Sequence, residues 1–132
     1  MKKSIILIFF ELLIFQSCSK DVGPLELENN PTQNVKFATD VQAIFNNQCI
    51  SCHNSSDDLN LETGNSYNNL VNVNATSYNG KRVVAGDAEN SVLYKKIDGS
   101  GAYGSNMPLG GNLSATQINT IKQWIVEGAL NN

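Results

Sequence analysis

The pentapeptide Cys49-Ile50-Ser51-Cys52-His53 limits what this chain can fold into more than any other feature. Two cysteines three positions apart serve three kinds of chemistry: a redox-active disulfide, half of a zinc site, or covalent attachment of a haem. The histidine directly after the second cysteine helps to distinguish among these. Each interpretation also requires something different from the remainder of the chain, so the sequence can be used to weigh them.

Zinc and redox chemistry are the weaker interpretations. A structural zinc site needs four ligands, commonly two pairs separated by a loop, and beyond the pentapeptide the sequence has one cysteine, Cys18, and no histidine. Cys52 and His53 are also adjacent, which hinders both side chains from reaching one tetrahedral ion. A thioredoxin-like pair opens a helix after a strand, whereas this motif follows a helical pattern. A plain disulfide stays open as the alternative for a haem-free chain outside the cytosol.

Covalent haem attachment is the remaining interpretation, and Cys-x-x-Cys-His is its signature. Thiols three positions apart can each form a thioether with one of the two vinyl groups of a single porphyrin, which places His53 next to the iron. Met107 is the only methionine besides Met1, and it lies in a glycine-rich loop before the last helical pattern. A lone loop methionine is usually a gap-filler, but its thioether is also a suitable second axial ligand.

The first residues have the pattern of an export signal rather than of a folded element. Two lysines precede an apolar run over residues 5–15, and Ser17 and Cys18 follow. The run is too short to span a bilayer, and this order of charged, apolar and small residues is typical of a secretory signal. Residues 15–18 also resemble the lipobox of bacterial lipoproteins, in which the cysteine is lipidated.

These patterns predict three parts of the chain. Residues 1–17 are expected to be a lipoprotein signal peptide, 18–35 a lipidated flexible tether and 36–132 the folded domain. We therefore expect the protein in the bacterial cell envelope, anchored through lipid on Cys18 to the periplasmic or surface side of the outer membrane. The alternative is ordinary signal cleavage, which leaves Cys18 as a free thiol.

Apolar periodicity predicts helices and no strands. Helical patterns cover residues 37–45, 65–72, 87–99 and 114–129. The third is expected to start at Asp87 as N-cap and to end at Gly99. The fourth starts with a capping box made by Ser114 and Gln117. No segment alternates with period two, so we predict an all-α fold, a small bundle of three to four helices.

The charge balance argues against nucleic-acid binding. The formal net charge is −3, and the only adjacent basic residues after the signal are Lys81–Arg82 and Lys95–Lys96. A basic patch or stripe is the usual footprint of a nucleic-acid-binding domain, so no nucleic-acid partner is expected.

Three ordered blocks resemble mono-haem class I cytochrome c, especially the domains found in planctomycete and Bacteroidetes lipoproteins. The blocks are FATDVQAIFNNQCISCH, VVAGDAENSVLYKKI and NMPLGGNLSATQINTIKQWIVEGA, and together they span residues 37–129. The resemblance implies one covalent haem c, with Cys49 and Cys52 as thioether anchors, His53 as proximal ligand and Met107 as distal ligand of the iron.

The implied function is electron transfer, because iron held by His and Met has no free coordination position. We expect a monomeric, membrane-tethered carrier, not an enzyme, that passes single electrons between a donor and an acceptor redox protein outside the cytosol. The alternatives are a haem-based sensor or peroxidase-like enzyme with a displaceable methionine, and a surface lipoprotein whose Asn-rich loop, residues 63–80, binds a partner.

The other apolar residues of the helical patterns are expected to wall the haem and to join the first and last helices. These are Phe37, Val41, Phe45, Leu93, Ile97, Ile118, Ile121 and Ile125, with Trp124 as ordinary core. So small a domain, rich in polar loops, has a thin core by itself. We therefore expect the haem to be the centre of the fold and the haem-free chain to be poorly ordered.

Overall fold

The computed structural model describes residues 34–132, so the predicted signal peptide, Cys18 and nearly all of the predicted tether lie outside it. Within this range no strand occurs, and isolated bridges such as that between Val71 and Val83 join the loops. The helical elements are a π-helical turn (Phe37–Val41), α1 (Gln42–Gln48), α2 (Ser66–Leu70), α3 (Val92–Ile97) and α4 (Ala115–Val126). The predicted all-α fold is confirmed. None of these described helices has the length and apolar character needed to cross a membrane.

The core forms where the first helical segment packs against α4. The ring centroids of Phe37 and Trp124 are 5.0 Å apart, and Tyr67 meets Phe37 edge-on at 5.3 Å. Trp124 is only 1% exposed, and its indole Nε1 donates to the Leu130 carbonyl at 2.9 Å. Its predicted place in the core is confirmed. Most of the predicted apolar set is buried, while Leu93 and Ile118 are partly buried at the edge of the core.

Both ends of α4 are fixed by local hydrogen bonds. The predicted capping box is present, because the Gln117 amide donates to Ser114 Oγ at 3.2 Å and the Ser114 amide donates to Gln117 Oε1 at 2.8 Å. At the other end the Ala129 amide donates to the Trp124 carbonyl at 2.9 Å, across Gly128 with φ +101°. This is a Schellman arrangement, and the left-handed backbone at its turn favours glycine.

The start of α3 differs from the prediction. Asp87 does not cap this helix, which begins at Val92 with Ser91 as N-cap. Asp87 instead closes a separate turn, in which its carboxylate accepts from the amide of Asn90 at 3.1 Å and from the side chain of Asn90 at 2.6 Å. These two bonds lower the pKa of Asp87. Gly99 follows the helix with φ +82°, as expected for a residue that ends it.

The two ends of the described chain lie side by side. The amides of Phe37 and Ala38 donate to the side chain and the backbone carbonyl of Asn132, at 2.8 and 2.9 Å. The amide of Val35 donates to a carboxylate oxygen of Glu127 at 2.9 Å. The first turn of the domain is therefore held by its last residues.

The segment between α1 and α3, residues 49–91, contains only the short helix α2, and backbone hydrogen bonds join its loops. Residues 81–83 pass between the end of α2 and the start of α3. Val83 donates to the Leu70 carbonyl at 3.1 Å, Arg82 donates to Val73 at 2.8 Å, and Leu93 donates to Arg82 at 2.9 Å. These bonds fix the backbone of Arg82 beside the cavity described next.

Candidate functional site

Three of the four residues that the sequence predicts to hold a haem line one cavity of about 470 Å³. Cys49, His53 and Met107 all line it, whereas Cys52 is exposed and does not. The volume lies within the range of ligand-binding pockets. Most of the wall is apolar and is formed by Leu59, Leu61, Leu70, Val92, Leu93 and Ile97.

The Cys-x-x-Cys-His motif continues from α1 as one tight turn. The Cys49 amide donates to the Phe45 carbonyl at 2.9 Å, and the Cys49 carbonyl accepts from Cys52 at 3.2 Å and from His53 at 2.9 Å. The two cysteines do not form a disulfide. Cys49 is half-buried, and its burial raises the pKa of the thiol to about 11. The turn thus directs one cysteine to the cavity wall and leaves the other near solvent.

His53 is oriented by a carboxylate that sequence reasoning missed. Its ring Nδ1 lies 2.6 Å from Oδ2 of Asp57, four residues further along the chain. A ring nitrogen facing a carboxylate carries the proton, which assigns the tautomer with Nε2 as the lone-pair donor. The His53 carbonyl also accepts from the Leu61 amide at 2.9 Å. The imidazole is therefore prepared to give Nε2 to a metal.

Met107 lies in the loop between α3 and α4, as its sequence context predicts. Its amide donates to the Lys96 carbonyl at 2.7 Å, which fastens the loop to the end of α3. The side chain is partly buried and packs against the core cluster. The structure thus brings a thioether and an imidazole to the wall of one cavity, although 54 positions separate them in the sequence.

A buried guanidinium completes the wall and was not predicted as a site residue. The Arg82 side chain is 9% exposed, and its Nη1 donates to the Asn69 carbonyl at 3.0 Å. Its Nη2 contacts the carboxylate of Asp58 and the hydroxyl of Thr76, the latter at 3.2 Å. One signal was available in the sequence, because Arg82 is its only arginine and precedes two valines.

These residues fit a haem rather than a bare metal ion. No group of three or more His, Cys, Asp or Glu side chains among residues 34–132 could hold an ion. A porphyrin needs an apolar slot, axial ligand atoms and cations for its propionates, and this cavity offers apolar walls, an imidazole, a thioether and a buried guanidinium. A buried arginine requires an anionic partner, and a propionate meets that requirement as Asp58 does here.

Comparison with known proteins agrees with this geometry. Residues 38–129 match the cytochrome c family. Among solved structures, the fold is similar to part of a chain of Kuenenia stuttgartiensis hydrazine synthase, with a TM-score of 0.54 and 24% sequence identity. The similar region covers 72% of this chain and 16% of that chain. A search of curated protein sequences found no match. The chain therefore belongs to the cytochrome c family, whose members bind haem c covalently, and Cys49 and Cys52 fit the attachment motif of that family.

Proposed function

We propose that this protein carries single electrons through one haem c, held by His53 and Met107 as axial ligands. The observation that carries the proposal is that Cys49, His53 and Met107 line one cavity in a chain of the cytochrome c family. When bound, haem c supplies exchange of one electron between the ferric and ferrous states of its iron.

The residues of the chain have separate tasks in this proposal. Cys49 and Cys52 would form the two thioethers that fix the cofactor. Nε2 of His53 and the sulfur of Met107 would be the two protein ligands of its iron. Arg82 holds a propionate through the guanidinium that now meets Asp58. An iron held by both His53 and Met107 would leave no coordination position for a substrate, which favours a carrier over an enzyme.

The surroundings of the cavity favour the reduced state. Ferric haem carries one more positive charge than ferrous haem, and apolar walls such as Leu59, Leu61 and Leu70 solvate that charge poorly. A thioether ligand acts in the same direction, because sulfur ligation by methionine raises the potential of cytochromes. We infer a carrier of fairly high potential.

The sequence before the domain supports a tethered carrier. We infer that Cys18 carries lipid and holds a monomeric domain at the envelope membrane, between an electron-donating and an electron-accepting protein. A flexible tether keeps a shuttle at high effective concentration near membrane-bound partners. Incorporation of labelled fatty acid into the protein tests the anchor. We expect the wild type to incorporate the label and Cys18→Ser not to.

One observation favours a second candidate, a haem sensor or peroxidase-like enzyme with a displaceable Met107. The carboxylate of Asp57 on Nδ1 of His53 makes the imidazole a stronger donor, which stabilises higher oxidation states. The similar solved structure is part of an enzyme, but its identity to this chain shows the fold alone. Binding of carbon monoxide separates the candidates, because a carrier with a retained methionine resists it.

The visible absorption spectrum of protein made in cells that attach haem c tests the proposal. We expect a covalent low-spin haem in both redox states, with a weak far-red band from methionine–iron(III) in the oxidised form. A high-spin haem that binds carbon monoxide readily would favour the sensor or enzyme. Absence of haem would contradict covalent attachment and would favour the alternative in which Cys49 and Cys52 form a disulfide.

Asp57 is expected to tune the potential through His53. In Asp57→Asn the imidazole loses its carboxylate partner and donates less to the iron, so the ferric state is less stable. We expect the reduction potential to rise by about 60 mV, a tenfold change in a one-electron equilibrium. Potentiometry with optical detection measures this. Glu62→Gln is the control, because it removes a carboxylate that neither lines the cavity nor bonds His53. Equal shifts in the two variants would contradict a specific role of Asp57.

A further inference from the structure

Lys96, near the end of α3, makes an unusual number of contacts with the loop that carries Met107. Its ammonium donates to the carbonyls of Tyr103 at 3.1 Å and Ser105 at 2.6 Å. Its own backbone carbonyl accepts from the Met107 amide at 2.7 Å. One residue thus holds residues 99–111, here named the Met107 loop, through both its backbone and its side chain.

Lys96 also joins the Met107 loop to a second loop on the cavity. Its ammonium donates to the Tyr78 hydroxyl at 3.3 Å and lies 5.2 Å from the centroid of that ring. The Tyr78 ring in turn packs against Tyr103 with centroids 5.1 Å apart. Lys96, Tyr78 and Met107 all line the cavity. The side chain of Lys96 therefore contacts two cavity-bordering loops, which also meet through the rings of Tyr78 and Tyr103.

Apart from Lys96, the side-chain hydrogen bonds of the Met107 loop are mostly local. The Ser100 amide donates to Asp98 Oδ1 at 2.8 Å and the Ala102 amide to Ser100 Oγ at 3.3 Å, while the Tyr103 hydroxyl reaches the Asn79 carbonyl at 3.5 Å. Gly99, Gly101 and Gly104 have φ between +68° and +82°, and glycine backbones lose more conformational entropy on ordering than any other. Between residues 99 and 107 the backbone bonds are those of Gly104 to Gly101, at 3.1 Å, and of Met107 to Lys96. A loop of this kind needs an external donor to hold its carbonyls in place.

We propose that Lys96 is a positioning residue for Met107. By holding the carbonyls of Tyr103 and Ser105, its ammonium keeps the loop closed and the thioether in the cavity, which limits access of other ligands to the sixth coordination position. The inference rests on the proposed function, in which Met107 ligates the iron.

Lys122 offers a matched control on α4. Its ammonium lies 4.9 Å from the centroid of the Tyr94 ring and donates to a carboxylate oxygen of Glu89 at 3.3 Å. Like Lys96, it therefore contacts an aromatic ring and makes a hydrogen bond. It neither lines the cavity nor contacts the Met107 loop. Lys122→Met removes the same charge and keeps a similar aliphatic side chain, as Lys96→Met does.

Titration of the oxidised holo-protein with imidazole, followed through the far-red methionine–iron band, tests the role of Lys96. Imidazole competes with Met107, so its apparent affinity reports how firmly the thioether is held. Lys96→Met loses the hydrogen bonds to both loop carbonyls. We expect it to bind imidazole at least about tenfold more tightly, because one hydrogen bond to a charged group is worth about that factor in an equilibrium constant. Lys96→Arg, which can donate to the same carbonyls, is expected to restore most of the difference, and Lys122→Met to match the wild type.

The role of Lys96 would be overturned if Lys96→Met bound imidazole with wild-type affinity, or if Lys122→Met gained as much imidazole affinity as Lys96→Met. In either case the far-red band of the wild type would still support Met107 as ligand. A wild-type protein without that band would overturn Met107 ligation, and the role of Lys96 with it. If Lys96→Met does not accumulate with haem, Lys96→Gln keeps a polar side chain at this position but removes the charge and shortens the reach to the carbonyls of Tyr103 and Ser105. We expect about threefold tighter imidazole binding in that variant, and no change there would overturn the proposal.

Discussion

Met107→Ala is expected to lower the reduction potential by on the order of 100 mV or more, because axial ligands set haem potentials over about 0.8 V. Loss of the thioether removes the ligand that stabilises the ferrous state and opens the sixth position. The reduced variant is therefore also expected to bind carbon monoxide, which the wild-type protein resists. Potentiometry and a carbon monoxide difference spectrum measure the two effects.

Leu109→Ala is the control for this prediction. Leu109 lies in the same loop but is 69% exposed and does not line the cavity, so its removal is expected to leave both the potential and the ligand binding unchanged. A Met107→Ala protein that keeps its potential and still resists carbon monoxide would show that another group ligates the iron. A wild-type protein that binds carbon monoxide as readily as the variant would favour the sensor or enzyme.

The double variant Cys49→Ala, Cys52→Ala is expected to lose cooperative unfolding. Without covalent attachment, the cavity of about 470 Å³ loses the group that fills it. At about 24 cal/mol per Å³ the cost is at most about 11 kcal/mol, comparable with the total stability of a typical domain. Leu61, Leu70 and Ile97 line this cavity and are themselves part of the core, so loss of the cofactor removes packing contacts from the core.

Circular dichroism during heating measures this effect. We expect a broad, non-cooperative loss of helical signal from the double variant and a sharp transition from the wild type with haem. Ser51→Ala changes an exposed residue of the same motif, and it is expected to keep both the haem and the sharp transition. A haem-free double variant that melts as cooperatively as the wild type would contradict the idea that the cofactor is the centre of the fold.

Local patterns in the sequence were sufficient to locate the helical regions, except for the start of the third, and to single out three residues that line the cavity. The capping box of Ser114 and Gln117 is visible in the sequence because its partners are three residues apart, and it is present in the structure. The Cys-x-x-Cys-His motif can likewise be recognised in the sequence, because its three functional residues lie within five positions. The prediction for Asp87 was wrong because a turn with Asn90 uses the carboxylate before the helix begins.

The polar wall of the cavity could not be predicted in the same way. Arg82 meets Asp58 across 24 positions, and Lys96 meets Tyr78 across 18. Such contacts depend on the path of irregular loops, which carry no periodicity. A charged residue in a loop is exposed by default, and the position of Arg82 before two valines does not say what it contacts. The three-dimensional arrangement shows that Arg82 is buried and that Lys96 contacts two loops.

The closeness of the two ends of the domain has a consequence for how it can be built into larger proteins. Because Phe37 and Ala38 bond Asn132 directly, the chain enters and leaves the folded unit at nearly one point. Domains with adjacent ends tolerate circular permutation and insertion into a host. This domain is therefore suited to insertion into a surface loop of another protein, because the two points of attachment in that loop can stay close together.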